Sequence, residues 1–133
     1  MKTLPEIILP DDRKYTDEHV WAKVAGAEIV AGISDFAQDQ LGEIVYVDLP
    51  NVGDHFVAKD GFGTVESIKS VNTLHMPVSG VVTAINKDLD ANPTLINADC
   101  YDLAWMIRIK PDSATALGSL LSAEEYRAFL GKN

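Results

Sequence analysis

The chain has 133 residues, 47% of them hydrophobic, enough apolar material for one packed core. Asp plus Glu number 20 against 11 Lys plus Arg, a formal charge of −9. That charge disfavours nucleic acid and anionic membrane as partners and favours a protein with a basic patch. No run approaches the roughly 18 apolar residues of a membrane helix, and the one cysteine, Cys100, excludes an intrachain disulfide and fits a reducing compartment.

The N-terminal stretch MKTLPEIILPDD has only Ile7, Ile8 and Leu9 in a row before Pro10. That is too short for a signal-peptide core and lacks the arginines of an organelle presequence, so a cytoplasmic protein is expected. Strand-like runs rich in β-branched and aromatic residues follow: Val20 to Val24, Ala27 to Ile33, Glu43 to Leu49, Phe62 to Ile68, Val78 to Ile85 and Trp105 to Ile109. Turn residues separate them, among them Gly26, Pro50-Asn51, Gly53-Asp54, Asp60-Gly61 and Asn86. In EIVYVDL, alternation puts Val45, Val47 and Leu49 on a buried face, with Ile44, Tyr46 and Asp48 opposite. Two helices are predicted. Ser34 caps SDFAQDQLG, which stops at Gly42, and Ser122 with Glu125 forms a capping box for a C-terminal helix ending at Gly131. There is no repeat, linker or low-complexity tract, so a single domain over 1–133 is expected, mainly β, a barrel or sandwich with helices at its margins.

Catalytic signatures are missing. His19, His55 and His75 do not stand at metal-ligand spacing to one another or to Cys100. The glycines of GFG, 61 to 63, lack the third glycine and the helix of a phosphate loop, and Ser79-Gly80 is a turn rather than a nucleophile elbow. Composition and spacing alone describe a non-catalytic acidic β domain, an unmodified interaction module.

One residue stands apart. In GFGTVESIKSVNTLHMPVSG, Lys69 sits at or near the tip of a hairpin, with Ser70 to Thr73 turning and LHMPVSGVV returning. A lysine there serves solubility or blocks edge pairing in many sheets.

The order of several blocks changes that reading. KYTDEHVW (14 to 21), GISDFAQDQLGEIVYVDLPNVGD (32 to 54), GTVESIK (63 to 69), MPVSG (76 to 80), PTLIN (93 to 97) and WMIRIKP (105 to 111) together resemble the H protein of the glycine cleavage system over nearly the whole chain. The resemblance implies a lipoyl-type flattened β-barrel or sandwich of two small sheets, with peripheral helices including one at the C-terminus. It implies that Lys69 carries lipoic acid in amide linkage, and that Glu66 belongs to the surface read by the lipoate-attaching enzymes. A biotin carrier typically sets its lysine between methionines; here the neighbours are Ile68 and Ser70. The function implied is that of a non-catalytic carrier whose lipoyl arm shuttles intermediates between partner enzymes.

Three departures from the family pattern bear on the cargo. The family's His-Glu-Trp reads His19-Val20-Trp21, and no acid follows the lysine in Ser70-Val71-Asn72-Thr73. A cationic aminomethyl cargo would then lack its partner carboxylate, with Glu18 the nearest acid in the sequence. In CYDLAW, Cys100 and Ala104 replace a proline and a glycine, so Cys100 is either a small packing residue or a thiol able to form a mixed disulfide with the cofactor. The neutral substitutions favour a sulfur cargo, as in the H-like lipoate-binding proteins that work with a heterodisulfide-reductase-like complex in cytoplasmic sulfur oxidation. The alternative is a glycine cleavage H protein serving glycine decarboxylase, aminomethyltransferase and dihydrolipoyl dehydrogenase.

Overall fold

The computed structural model describes residues 2–132; the first and last residues of the expected 1–133 domain lie outside the described span. Nine strands form two antiparallel ladders. They are β1 (Lys14–Tyr15), β2 (Val20–Ala25), β3 (Glu28–Ile33), β4 (Ile44–Asp48), β5 (His55–Phe56), β6 (Gly61–Ser67), β7 (Val71–His75), β8 (Gly80–Ile85) and β9 (Ile107–Pro111). One sheet has the order β1-β2-β3-β9-β8-β5, the other β4-β6-β7. The expected flattened barrel or sandwich thus takes its sandwich form, with no strand pairing among the described residues that closes the two ladders into a barrel. Val20, Ala22 and Ile109 from the larger sheet meet Ile44, Val65 and Leu74 from the smaller one in a single apolar core, the term that drives such a fold.

Both predicted helices are present with their caps. Helix α1 (Asp35–Leu41) starts at Ser34, whose Oγ accepts the Ala37 N–H at 3.2 Å, and ends at Gly42 with φ 77°, where a side chain would be strained. Two short helices, α2 (Asp88–Ala91) and α3 (Leu95–Ala98), carry Leu89 and Ile96 into the core. Helix α4 (Ala123–Gly131) has the Ser122–Glu125 capping box and ends at the expected Gly131, with Lys132 as its C-cap. Gly131 matters for another reason: a Cβ there would lie 3.3 Å from a Leu4 methyl.

That contact belongs to an N-terminal strap. Arg127 of α4 donates to the carbonyls of Leu4 (2.7 Å) and Ile7 (2.8 Å). Asp35 of α1, buried, accepts from Lys2 Nζ at 2.7 Å, the Ile8 N–H at 2.8 Å and Gln38 at 2.8 Å. Burial would raise the Asp35 pKa, but these donors outweigh it and hold the carboxyl below its ordinary range.

Two corrections concern the small sheet. Strict alternation fails in β4: Ile44 and Val47 are buried, whereas Val45 and Tyr46 both face solvent. The cause is a bulge. Ile44 pairs with Ser67 and Tyr46 with Glu66, so Val45 is the extra residue and shifts the phase. The expected turn at Ser70 to Thr73 is displaced as well. The chain reverses at Ile68 to Ser70, and Val71 already pairs with Glu66. Strand β7 escaped a pattern search because it is an edge strand whose Val71, Asn72 and Thr73 stay exposed.

The glycines of GFG acquire a packing role. A Cβ on Gly63 would meet the carbonyl oxygen of Asp48 at 2.1 Å, inside the β4–β6 ladder. Gly63→Ala must push β4 away from the hairpin and should lower unfolding free energy by about 2 kcal/mol or more, measurable by urea denaturation.

Candidate site at the Lys69 hairpin

The β6–β7 hairpin places Lys69 on a three-residue reversal with its side chain exposed. A buried serine shapes that reversal. Ser67 Oγ accepts the N–H of Lys69 at 3.1 Å and of Ser70 at 3.2 Å, while the Ser67 N–H donates to the Ser70 carbonyl at 2.8 Å. A short side chain that satisfies two successive backbone donors is a turn lock. The middle of the Glu66-Ser67-Ile68-Lys69 segment is therefore structural, a role that spacing alone does not reveal. The Lys69 Nζ donates to the Gln40 carbonyl at 3.0 Å, at the C-terminal end of α1 where carbonyls lack helical partners. Gly42 leaves room for that course: a Cβ there would lie 3.4 Å from Lys69 Cε.

A cleft of about 280 Å³ borders the same hairpin. Val65 and Leu74 come to it from the hairpin, Phe36 and Leu41 from α1, and these make it largely apolar. Its polar residues include Glu18, His19 and Thr73. From Lys69 to Thr73 is four residues of chain, about 13 Å in extended form. Glu66, the other residue singled out from the resemblance, lies on β6, paired with Tyr46 and Val71 and away from the cleft wall.

The expectation that the cleft has no carboxylate is corrected here. Val20 does stand in its wall as an apolar residue, and Thr73 is no acid, but Glu18 lines the cleft as well. The reason is local backbone. Glu18 belongs to the turn before β2, not to the strand, and His19 has φ 69°, so strand alternation does not govern where residue 18 points. Glu18 Oε2 also lies 3.3 Å from His75 Nδ1, an ion pair when that imidazole carries a proton.

His19 is fixed from three sides. Its carbonyl accepts the Ser34 N–H at 2.9 Å, its Nδ1 lies 2.7 Å from the Tyr126 hydroxyl, and its ring packs on Phe36 with centroids 4.9 Å apart. The Tyr126 hydroxyl also meets Ser34 Oγ at 2.9 Å, which ties α4 to the cap of α1. Burial pushes the His19 pKa down, partly countered by Asp17.

Cys100 takes the packing role. It is buried, its carbonyl accepts the Trp21 indole N–H at 3.0 Å, and burial pushes its thiol up to about 12. A thiol so far from ionising makes a poor nucleophile for disulfide exchange. Ala104 is buried beside it in the core. No cluster of three metal-capable side chains occurs among the described residues.

A two-sheet sandwich presenting an exposed lysine on a locked hairpin turn has the architecture that a carrier-type domain requires. The match is more specific than the class. Residues 13–133 fit the family model for the glycine cleavage H-protein, and the chain belongs to that family. It is 47% identical over 124 residues to the glycine cleavage system H protein of Halalkalibacterium halodurans, covering 93% of this chain and 97% of that protein. It is 48% identical over 122 residues to the protein of the same name from Oceanobacillus iheyensis, covering 92% and 97%. The crystal structure of a glycine cleavage system H protein from Mycobacterium marinum superposes with a TM-score of 0.85 at 36% identity, covering 92% of this chain and 99% of that one.

Two expected outcomes follow from the site. Lys69→Ala should leave the melting temperature nearly unchanged, since an exposed turn side chain is worth under about 0.5 kcal/mol, whereas Ser67→Ala should cost about 1 kcal/mol by leaving the Lys69 and Ser70 N–H groups to water. Calorimetry on both separates root from tip. His19 has a folded pKa below its unfolded value, so its contribution is complete above about pH 6.5 and is lost as pH falls and the unfolded state takes up the proton first. The melting temperature of wild type should therefore drop more steeply from pH 7 to pH 5 than that of His19→Asn, a substitution that tolerates the left-handed backbone.

Proposed function

We propose that this protein is a lipoyl carrier of the glycine cleavage system, non-catalytic itself, with the lipoyl group in amide linkage on Lys69. The observation that carries the reading is the exposed Lys69 amine on its Ser67-locked turn, beside a cleft that contains a carboxylate. Family membership supports the class of carrier. Bound there, the lipoyl group would supply the sulfur that carries an aminomethyl group between enzymes. The residues present fit that group. Lys69 offers an accessible amine, and Phe36, Leu41, Val65 and Leu74 offer an apolar wall for its dithiolane end. Glu18 and Thr73 offer a carboxylate and a hydroxyl to an ammonium, which in a partly desolvated cleft needs such partners. Attachment removes the Lys69 charge, and with it the charge-assisted bond to the Gln40 carbonyl.

The sulfur-cargo reading rested on missing carboxylates. Glu18 weakens that argument, and the relatives named above all bear the glycine cleavage name. The partners of this reading are a lipoate-attaching enzyme and the enzymes of glycine cleavage, in the cytoplasm, with residues 1–133 acting as one unit. No helix among the described residues is long and apolar enough to cross a membrane.

Peptide mass spectrometry after supply of lipoate and a ligase should place lipoyl on Lys69 and nowhere else, and Lys69→Ala should acquire none. The lipoylated protein should then load label from glycine in the presence of glycine decarboxylase. Glu18→Gln should reduce that loading about fivefold, the equivalent of about 1 kcal/mol for a partly exposed charge contact. Modification at another lysine would end the Lys69 assignment, and a fully lipoylated wild type that takes no label would end the aminomethyl one.

A further inference from the structure

Glu18 stands in a wall shared by two cavities. It lines the cleft beside the hairpin, and it also lines a larger cavity of about 490 Å³ whose walls include Lys59, Met76 and Leu120. Its backbone is fixed. The Glu18 N–H donates to Thr16 Oγ at 3.1 Å, and the Val20 N–H reaches the same oxygen at 3.2 Å. Those bonds do not aim the side chain. It is 31% exposed and faces two openings, so the direction of the carboxylate depends on a second group.

That group is His75, the last residue of β7. Its Nδ1 lies 3.0 Å from the Lys59 carbonyl and 3.3 Å from Glu18 Oε2. A carbonyl and a carboxylate only accept, so Nδ1 carries a proton in either charge state of the ring. The ring has a firm base. Lys59, with φ 76°, donates its N–H to the Met76 carbonyl at 2.8 Å, and the Met76 N–H donates to the Asp60 carbonyl at 2.8 Å. Lys59 Nζ also lies 3.5 Å from Asp17, beside Glu18 in the same turn. Leu74 lines the cleft and Met76 the larger cavity, so His75 comes between them at the divide. An oxygen drawn to His75 stays at the rim of the cleft.

We infer that His75 is a positioning residue for the cargo: its Nδ1–H keeps the Glu18 carboxylate at the cleft rim, where that carboxylate receives the ammonium. The inference rests on the carrier reading given above and adds the group that aims its carboxylate. A neutral imidazole suits the task, because an N–H orients a carboxylate without cancelling its charge. A Lys or Arg in the same place would supply the counter-charge itself and leave less for a cationic cargo. Both side chains are 31% exposed, so solvent screening makes the pair a minor contributor to stability. What it sets is direction.

The first measurement needs no cofactor. In nitrogen-15 spectra of the full unmodified chain at pH 8, His75 should be protonated at Nδ1, and its ring signals should move in Glu18→Gln. The second is loading of label from glycine, in the presence of glycine decarboxylase, by fully lipoylated chains whose modification is checked by intact mass. His75→Ala should lower loading about threefold, less than Glu18→Gln does, because the carboxylate remains and only its aim is lost. His75→Asn, whose amide nitrogen takes the place of Nδ1, should restore most of the loading. His75→Lys should not, since its ammonium occupies the carboxylate. In a Glu18→Gln background His75→Ala should cost nothing further, whereas a purely structural role would cost loading in either background. Wild-type loading in His75→Ala beside a loss in Glu18→Gln would overturn the positioning role and leave the carrier reading intact. Higher loading in His75→Ala would overturn it in favour of competition between His75 and the cargo. A proton on Nε2 alone would overturn the geometry. Wild-type loading in Glu18→Gln would remove Glu18 from the carrier reading and this inference with it.

Discussion

The hydroxyl of Ser67 is buried at the end of β6, where it holds two consecutive backbone N–H groups, and the position of Lys69 depends on that pair of bonds. Without them a three-residue connection between antiparallel strands would have many conformations, and the lysine would have no fixed root. The rest of the small sheet serves the same end. Gly63 lets β4 approach the hairpin, the Glu43 carbonyl accepts the Ile68 N–H at 3.2 Å, and Gly42 clears the path of the lysine side chain. The rigidity lies in the protein and the freedom is confined to one side chain, the division a carrier requires.

Much of this frame is legible in the sequence because it rests on local rules. Ser34 and Ser122 cap helices where their spacing to Ala37 and Glu125 says they should, and the β-branched runs fall on strands. What escapes is whatever depends on a partner strand or a single backbone angle. Val45 reads as a buried residue until the Ile44–Ser67 and Tyr46–Glu66 pairings show it to be extra. Glu18 reads as a strand neighbour of Val20 until the left-handed His19 separates turn from strand. Strand β7 reads as a turn because an edge strand has no need of apolar alternation. Ser67 reads as filler because a hydroxyl that caps a turn resembles any other small polar residue.

A second apolar cluster, built on Tyr15, Trp21, Tyr126 and Leu130, explains why the cleft keeps its shape. Tyr15 and Tyr126 stack with centroids 4.9 Å apart and planes 5° apart, and the Tyr126 hydroxyl reaches both His19 and Ser34. One aromatic side chain on α4 therefore joins the turn before β2, the first turn of α1 and the C-terminal helix. The strap at residues 2–12, outside the span of the family match, fastens the same two helices from the other side through Asp35 and Arg127. A cleft between α1 and the hairpin keeps its width only if α1 cannot tilt, and both fastenings resist such a tilt.

The bulge at Val45 has a consequence for the protein in a crowded cell. Strand β4 is an edge strand with two large apolar residues facing water, the arrangement from which edge-to-edge growth into fibrils begins. Such growth needs an unbroken rhythm of outward N–H and C=O groups. Here the extra residue breaks the rhythm near the start of the strand, and the Ile44 N–H is already taken by the Asn97 side chain at 2.9 Å. An exposed apolar edge is thereby kept from seeding insoluble aggregates of its own kind.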